Sequence, residues 1–129
     1  MKSFKGIDVS GYQGKIDWHR VKKAGVEFAI LKVIRKDLNS DKQFENNWAG
    51  CLAAGVPIQG VYHYTYATNV GKAMGDARKV LEILGQDRHP FVWLDWEDKS
   101  LPTGRLAADI INAPALLDKI GQLIRHIFL

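Results

Sequence analysis

The chain has 129 residues, 47% hydrophobic and 25% charged, which suits a single globular domain over residues 1–129 and excludes both a disordered chain and two full-sized domains. Eighteen Lys and Arg against fourteen Asp and Glu give a net charge of +4, scattered in ones and twos (Lys22-Lys23, Arg35-Lys36, Arg78-Lys79). With no basic tract and no finger, zipper or RNA-binding signature, nucleic acid is not the expected partner, and another anionic polymer suits the charge equally well.

Cys51 is the one cysteine, so no internal disulfide and no Cys-rich metal site can form. No apolar run reaches the roughly 18 residues of a membrane span, and Met1 to Asp8 turns acidic before a signal-peptide core can develop. Neither membrane insertion nor export through a signal peptide is expected.

In chain order, a short β-branched or aromatic run is followed four times by a segment with helical spacing. Ile7-Asp8-Val9 is the first strand, Ser10 to Gly14 a turn, and a helix starts near Asp17, which can cap free backbone donors, and stops at Gly25. Phe28 to Val33 is a near-continuous apolar run, as in a parallel strand covered on both faces. The polar stretch from Arg35 to Lys42 reads as a surface loop. Gln43 to Ala54 is helical and ends at Gly55, Ile58 to Tyr64 is the third strand, Val70 to Leu84 the third helix, and Pro90 to Glu97 the fourth strand.

From Gly104 the apolar positions Leu116, Leu117, Ile120, Leu123, Ile124, Ile127 and Phe128 keep helical spacing, broken once by Pro114, and no fifth strand is expected. The fold class is therefore α/β: four successive βα units with parallel strands, an incomplete TIM-like barrel. A complete (β/α)8 barrel typically takes about 250 residues. Four strands cannot close one, and the apolar end Ile127-Phe128-Leu129 reads as that of a truncated chain.

Chemistry concentrates at strand ends. Asp95 and Glu97 are two apart, so in an extended strand both carboxylates leave the same face, with about 6.6 Å of rise between them, and Trp93 shares that face. Two neighbouring acids that cannot both ionise freely give one acid and one base in the same site, the division of labour that glycosidic hydrolysis uses. The plainer reading is two solvated acids at the start of a loop. Asp8 is a charge in an apolar strand; it either faces the same cavity or caps the turn by accepting from the Ser10 or Gly11 amide.

Tyr62 and Tyr64 share one face of the third strand and His63 takes the other; tyrosine packs on sugar C–H faces and hydrogen-bonds hydroxyls, though core packing is its commoner use. Lys32 needs a carboxylate partner if buried. His19, His63, His89 and His126 lack metal-ligand spacing, Gly11 to Gly14 is no phosphate loop, and no cofactor or metal is indicated.

Gly6-Ile7-Asp8-Val9-Ser10 with Tyr12-Gln13-Gly14 and Ile16-Asp17-Trp18, then Gly60-Val61-Tyr62-His63-Tyr64, then Leu94-Asp95-Trp96-Glu97, resemble the N-terminal half of the glycoside hydrolase family 25 lysozymes, from Phe4 to about Ile111. The resemblance implies cleavage of the β-1,4 bond between N-acetylmuramic acid and N-acetylglucosamine in bacterial peptidoglycan. It makes Glu97 the proton donor, Asp95 its stabilising or nucleophile-assisting partner, and Asp8 a further acid lining the site. Tyr62, Tyr64, Lys32 and Gln13 fall where family members contact substrate or hold the acids.

It also implies an endolysin-like enzyme, made in the cytoplasm and acting on the wall after release. Two departures stand out. After Lys32 this chain has Val33-Ile34-Arg35-Lys36-Asp37 in place of a Thr-Glu-Gly-like stretch, and the second half of the barrel is missing. Three alternatives follow: a non-catalytic peptidoglycan-binding remnant, a homodimer pairing its open sheet edges, and, more weakly, a metal-dependent hydrolase using Asp8, Asp95, Glu97 and His63.

Overall fold

The computed structural model describes residues 3–113 and 124–128. The elements are β1 (Gly6–Val9), a 3-10 turn (Gly11–Gln13), α1 (Trp18–Lys23), β2 (Phe28–Lys32), α2 (Phe44–Ala54), β3 (Ile58–Tyr64), α3 (Val70–Leu84), β4 (Val92–Asp95), α4 (Gly104–Asn112) and β5 (Ile124–Phe128). The strands form one open parallel sheet in the order β1-β2-β3-β4-β5. Four βα units in sequence give the incomplete TIM-like architecture expected from the repeating pattern.

Local chemistry sets the boundaries. Asp17 caps α1, its carboxylate accepting from Arg20 N at 3.1 Å. Asn69 does the same for α3 through Lys72 N at 2.8 Å. Helix α2 stops at Gly55, whose φ of 73° is the left-handed geometry that a residue without Cβ adopts at least cost.

The chain end departs from expectation. Helical spacing was expected to continue to Phe128 with no fifth strand, yet Ile124–Phe128 lies parallel to β4, with Asp95 opposite Phe128. The run Ile124-Arg125-His126-Ile127-Phe128 is short, and its apolar positions fit either period, so spacing alone cannot decide. The open edge of β4 decides it, because that edge offers a row of backbone donors and acceptors for a strand to pair with. The expected helical positions Leu116, Leu117, Ile120 and Leu123 lie outside the described residues, as does Pro114.

Alternation separates two faces. Val9, Ala29, Leu31, Val33, Val61 and Val92 point to the helices and pack with Trp18, Phe44, Cys51, Val80 and Leu84 in one buried core. A smaller cluster of Ala67, Ala73 and Ile110, with Trp96 against it, sits where α3 meets α4. Arg88 ties the helical layer: its guanidinium donates to both Glu45 carboxylate oxygens at 2.8 and 3.0 Å and to the Leu84 carbonyl at 2.8 Å, and lies over the Phe44 and Trp48 rings.

The other face carries Asp8, Phe28, Ile30, Lys32, Tyr62, Tyr64, Trp93 and Asp95, brought side by side by the registers Asp8↔Ile30, Lys32↔Tyr62, Tyr62↔Trp93 and Tyr64↔Asp95. No described helix covers it. Toward the strand starts this face is an apolar hollow of about 620 Å³ lined by Phe4, Phe28, Ile30, Pro57 and Trp93. Gly60 is what lets the Trp93 indole lie across β3: a Cβ there would come within 2.7 Å of Trp93 Nε1 and 2.8 Å of the Phe91 carbonyl oxygen. Toward the strand ends the same face becomes polar.

Candidate active site

Three carboxylates meet at the polar end of the open face. Asp8 leaves β1 one residue before the core residue Val9, and Asp95 ends β4. The strand stops at Asp95, so Glu97 follows it on an exposed connection, and its side chain hydrogen-bonds Asp95.

Burial pushes the Asp95 carboxyl up, the hydrogen bond and charge of Glu97 push it further, and the charge of Asp8 adds to them. Together they carry it to about 7, with the Lys32 ammonium pulling the other way. The Asp95 carboxyl thus keeps its proton to near neutrality, coupled to the Glu97 side chain beside it. The family resemblance makes Glu97 the donor; the structure puts the raised affinity for the proton on Asp95.

Asp8 is exposed, and its charge acts on both Asp95 and Tyr62. The alternative in which Asp8 caps the following turn does not hold, because the amides in question have other acceptors. Ser10 N donates to Gln13 Oε1 at 2.7 Å, and Gly11 N donates to Asp41 Oδ1 at 2.9 Å. Gln13 is accordingly engaged in a capping box, its side-chain oxygen closing the 3-10 turn that starts at Ser10.

Tyr62 is half-buried, and burial together with the negative charge of Asp8 pushes its phenol up to about 12, with a hydrogen bond from the Ser10 side chain opposing. It stays neutral and able to donate throughout the range in which the acid pair titrates. Tyr64, also half-buried by area, has its phenol raised by desolvation and by the charges of Asp98 and Glu97; its hydroxyl donates to Asp98 Oδ2 at 3.5 Å. Lys32 is half-exposed, with Nζ 6.0 Å from the Tyr64 ring centre, and its charge favours the ionised form of Asp95.

His63 turns away, as strand alternation requires. It lies against the helical layer with Nε2 3.3 Å from Asp76 Oδ2 of α3, both side chains buried. Among the described residues no cluster of three or more His, Cys, Asp and Glu side chains is arranged to hold a metal ion.

Sequence reasoning missed Asp41 and the outer ring of the site. Asp41 is 6% exposed, in a stretch read as a surface loop. Its carboxylate accepts from Gly11 N and from Gln43 N at 3.0 Å, clamping the turn after β1 to the start of α2. An Asp three residues ahead of a helix is a visible capping signal; the second bond, thirty residues back in the chain, is not. Beyond it, Tyr66 packs on Tyr64 with ring centres 5.1 Å apart, and Lys36 stands over Tyr66 at 4.4 Å. The Ser100 hydroxyl and amide, joined by Lys36, hold Asp98 below the usual carboxylate range.

Residues 7–122 match the sequence pattern of Glycosyl hydrolases family 25. The chain belongs to this family. Lysozyme M1 of Streptomyces globisporus is 32% identical over 99 residues, which are 67% of this chain and 33% of that protein. The autolytic lysozyme of Clostridium acetobutylicum is 35% identical over 65 residues, 50% of this chain and 20% of that protein. Among solved structures, the modular autolysin LytC from Streptococcus pneumoniae superposes with a TM-score of 0.81 at 25% identity, covering 96% of this chain and 32% of LytC. LytC has also been solved in complex with a synthetic peptidoglycan ligand, with a TM-score of 0.80 to this chain. The family 25 chain thus spans a fifth to a third of the length of these relatives.

Proposed function

We propose that this chain carries the acid-bearing strands of a peptidoglycan hydrolase that cleaves the β-1,4 bond between N-acetylmuramic acid and N-acetylglucosamine. The observation that carries the reading is Asp95 at the end of β4, in reach of the Glu97 side chain and of the Asp8 charge, with burial and these neighbours raising its carboxyl to about 7. Acid hydrolysis of a glycoside needs a proton delivered to the leaving oxygen, and negative charge close to the sugar carbon that becomes oxocarbenium-like. In this reading the proton rests on Asp95 and reaches the leaving oxygen through Glu97, the exposed member of the pair. The ionised Asp8 faces the developing positive charge, directly or by orienting a substrate acetamide. Tyr62 donates a hydrogen bond without competing for the proton, and the Tyr64 ring offers its face to a sugar.

Family membership, the two lysozyme relatives and the peptidoglycan-bound LytC support the substrate class. The test is reducing-end release from purified peptidoglycan by the chain and by Glu97→Gln. The expected result is a loss of about 10²–10⁴ in rate in the variant, the usual contribution of a general acid. The rate of the unaltered chain should fall as pH rises past 7, where Asp95 gives up its proton. Equal release by the variant, or none by the unaltered chain, contradicts the proposal.

A further inference from the structure

The loop after β2 closes on itself. Ile34 bridges Ser40, Arg35 N donates to the Asn39 carbonyl at 2.8 Å, and Leu38 takes a positive φ of 66° to complete the turn. Within this loop the two neighbouring cations differ. Arg35 is neutralised by Asp37 at 2.9 Å, whereas Lys36 has no ion-pair partner among the described residues and stands over the Tyr66 ring at 4.4 Å. Asp98, whose charge reaches Lys36, is already engaged by the Ser100 amide and hydroxyl and by the Tyr64 hydroxyl.

Lys36, Tyr66 and Tyr64 therefore form a continuous shelf from the outer rim inward, ending where Tyr64 meets the charges of Glu97 and Asp95. A ring face fits sugar C–H groups, and an ammonium held over a ring keeps its charge available to an anion. The electrostatics of the rim point the same way. Asp8, Glu97 and Asp98 repel any substrate that carries acids of its own, and a cation placed beyond them offsets that repulsion.

We propose that Lys36 is a specificity-determining residue of this site, binding a carboxylate carried by the saccharide, and so favouring an acid-bearing glycan over a neutral one. This rests on the reading of the site as one that cleaves a muramyl glycan. The carboxylate has two sources in such a polymer: the lactyl group of muramic acid where the peptide is absent, and the acids of the stem peptide where it is attached.

The experiment measures dissociation constants of three soluble probes of equal sugar length with the unaltered chain, Lys36→Gln and Lys36→Arg. The probes are chitotetraose, a muramyl glycan fragment stripped to its lactyl carboxylates, and the same fragment bearing stem peptides. Lys36→Gln should weaken binding of at least one acidic probe by about fivefold, the scale of one exposed charge pair. Chitotetraose binding should stay unchanged, Lys36→Arg should restore the loss, and the difference should vanish at 1 M salt. An effect confined to the stripped fragment assigns the lactyl group, and one confined to the peptide-bearing fragment assigns the peptide acids. Equal weakening of all three probes by Lys36→Gln, or of none, overturns the inference while leaving the acid-pair reading in place. If the unaltered chain binds none of the probes, the saccharide-site reading itself falls and this inference with it.

Discussion

On the helix side of the sheet, Val9, Leu31, Val61 and Leu94 are buried, and two of the buried polar groups on this side, His63 and Asp76, lie against each other. On the opposite side the same strands, shifted by one residue, present Asp8, Lys32, Tyr62 and Asp95, where partial burial and the charges of Asp8 and Lys32 act together on Tyr62 and Asp95. The first face is packed and the second carries partly solvated, interacting charges, so substitutions on the two faces should fail in different ways.

Adjacent residues in β2 give the largest contrast. Leu31 is fully buried in the core while Lys32 is half-exposed on the acid face. Leu31→Ala should lower unfolding free energy by about 3 kcal/mol through lost transfer energy and a residual cavity. Lys32→Ala should cost less than about 1 kcal/mol, as expected for a partly solvated charge. Denaturant unfolding of both variants checks this, and comparable losses would break the two-face account.

A smaller effect, of opposite sign, is expected at Asp95. Its native carboxyl is raised from 3.8 to about 7, so between those values the folded chain binds more protons than the unfolded one and stability falls as pH rises through that window. Asp95→Asn removes the cost of the buried charge. It should stabilise the fold at pH 8 by about 1 kcal/mol, discounted for partial solvent exposure, and by almost nothing at pH 4. Equal melting temperatures of the two proteins at pH 8 would mean that the ionised Asp95 costs nothing and that its carboxyl is not raised.

What the sequence made legible followed from period and punctuation. Ile58–Tyr64 and Val70–Leu84 stand where alternation and helical spacing place them, and alternation alone turned His63 away from Tyr62 and Tyr64. The acids at the ends of β1 and β4 were visible because charge inside an apolar strand needs a reason. Features built across the chain were not visible. The engagement of Gly11 by Asp41 and the stacking of Lys36 on Tyr66 join residues thirty apart, and no local pattern records such pairs. Strand β5 was misread for a related reason: its five residues suit both periods, and the partner strand makes the choice.

The central claim is that Asp95, Glu97 and Asp8 behave as one electrostatic unit. Carbon-detected NMR titration of the Asp95 carboxyl tests it most directly, in the unaltered chain and in Glu97→Gln. The account predicts a midpoint near 7 that drops toward the ordinary carboxylate range in the variant, because the hydrogen bond and charge of Glu97 are lost while burial remains. A midpoint near 4 in the unaltered chain, or one near 7 that does not respond to Glu97→Gln, would contradict it.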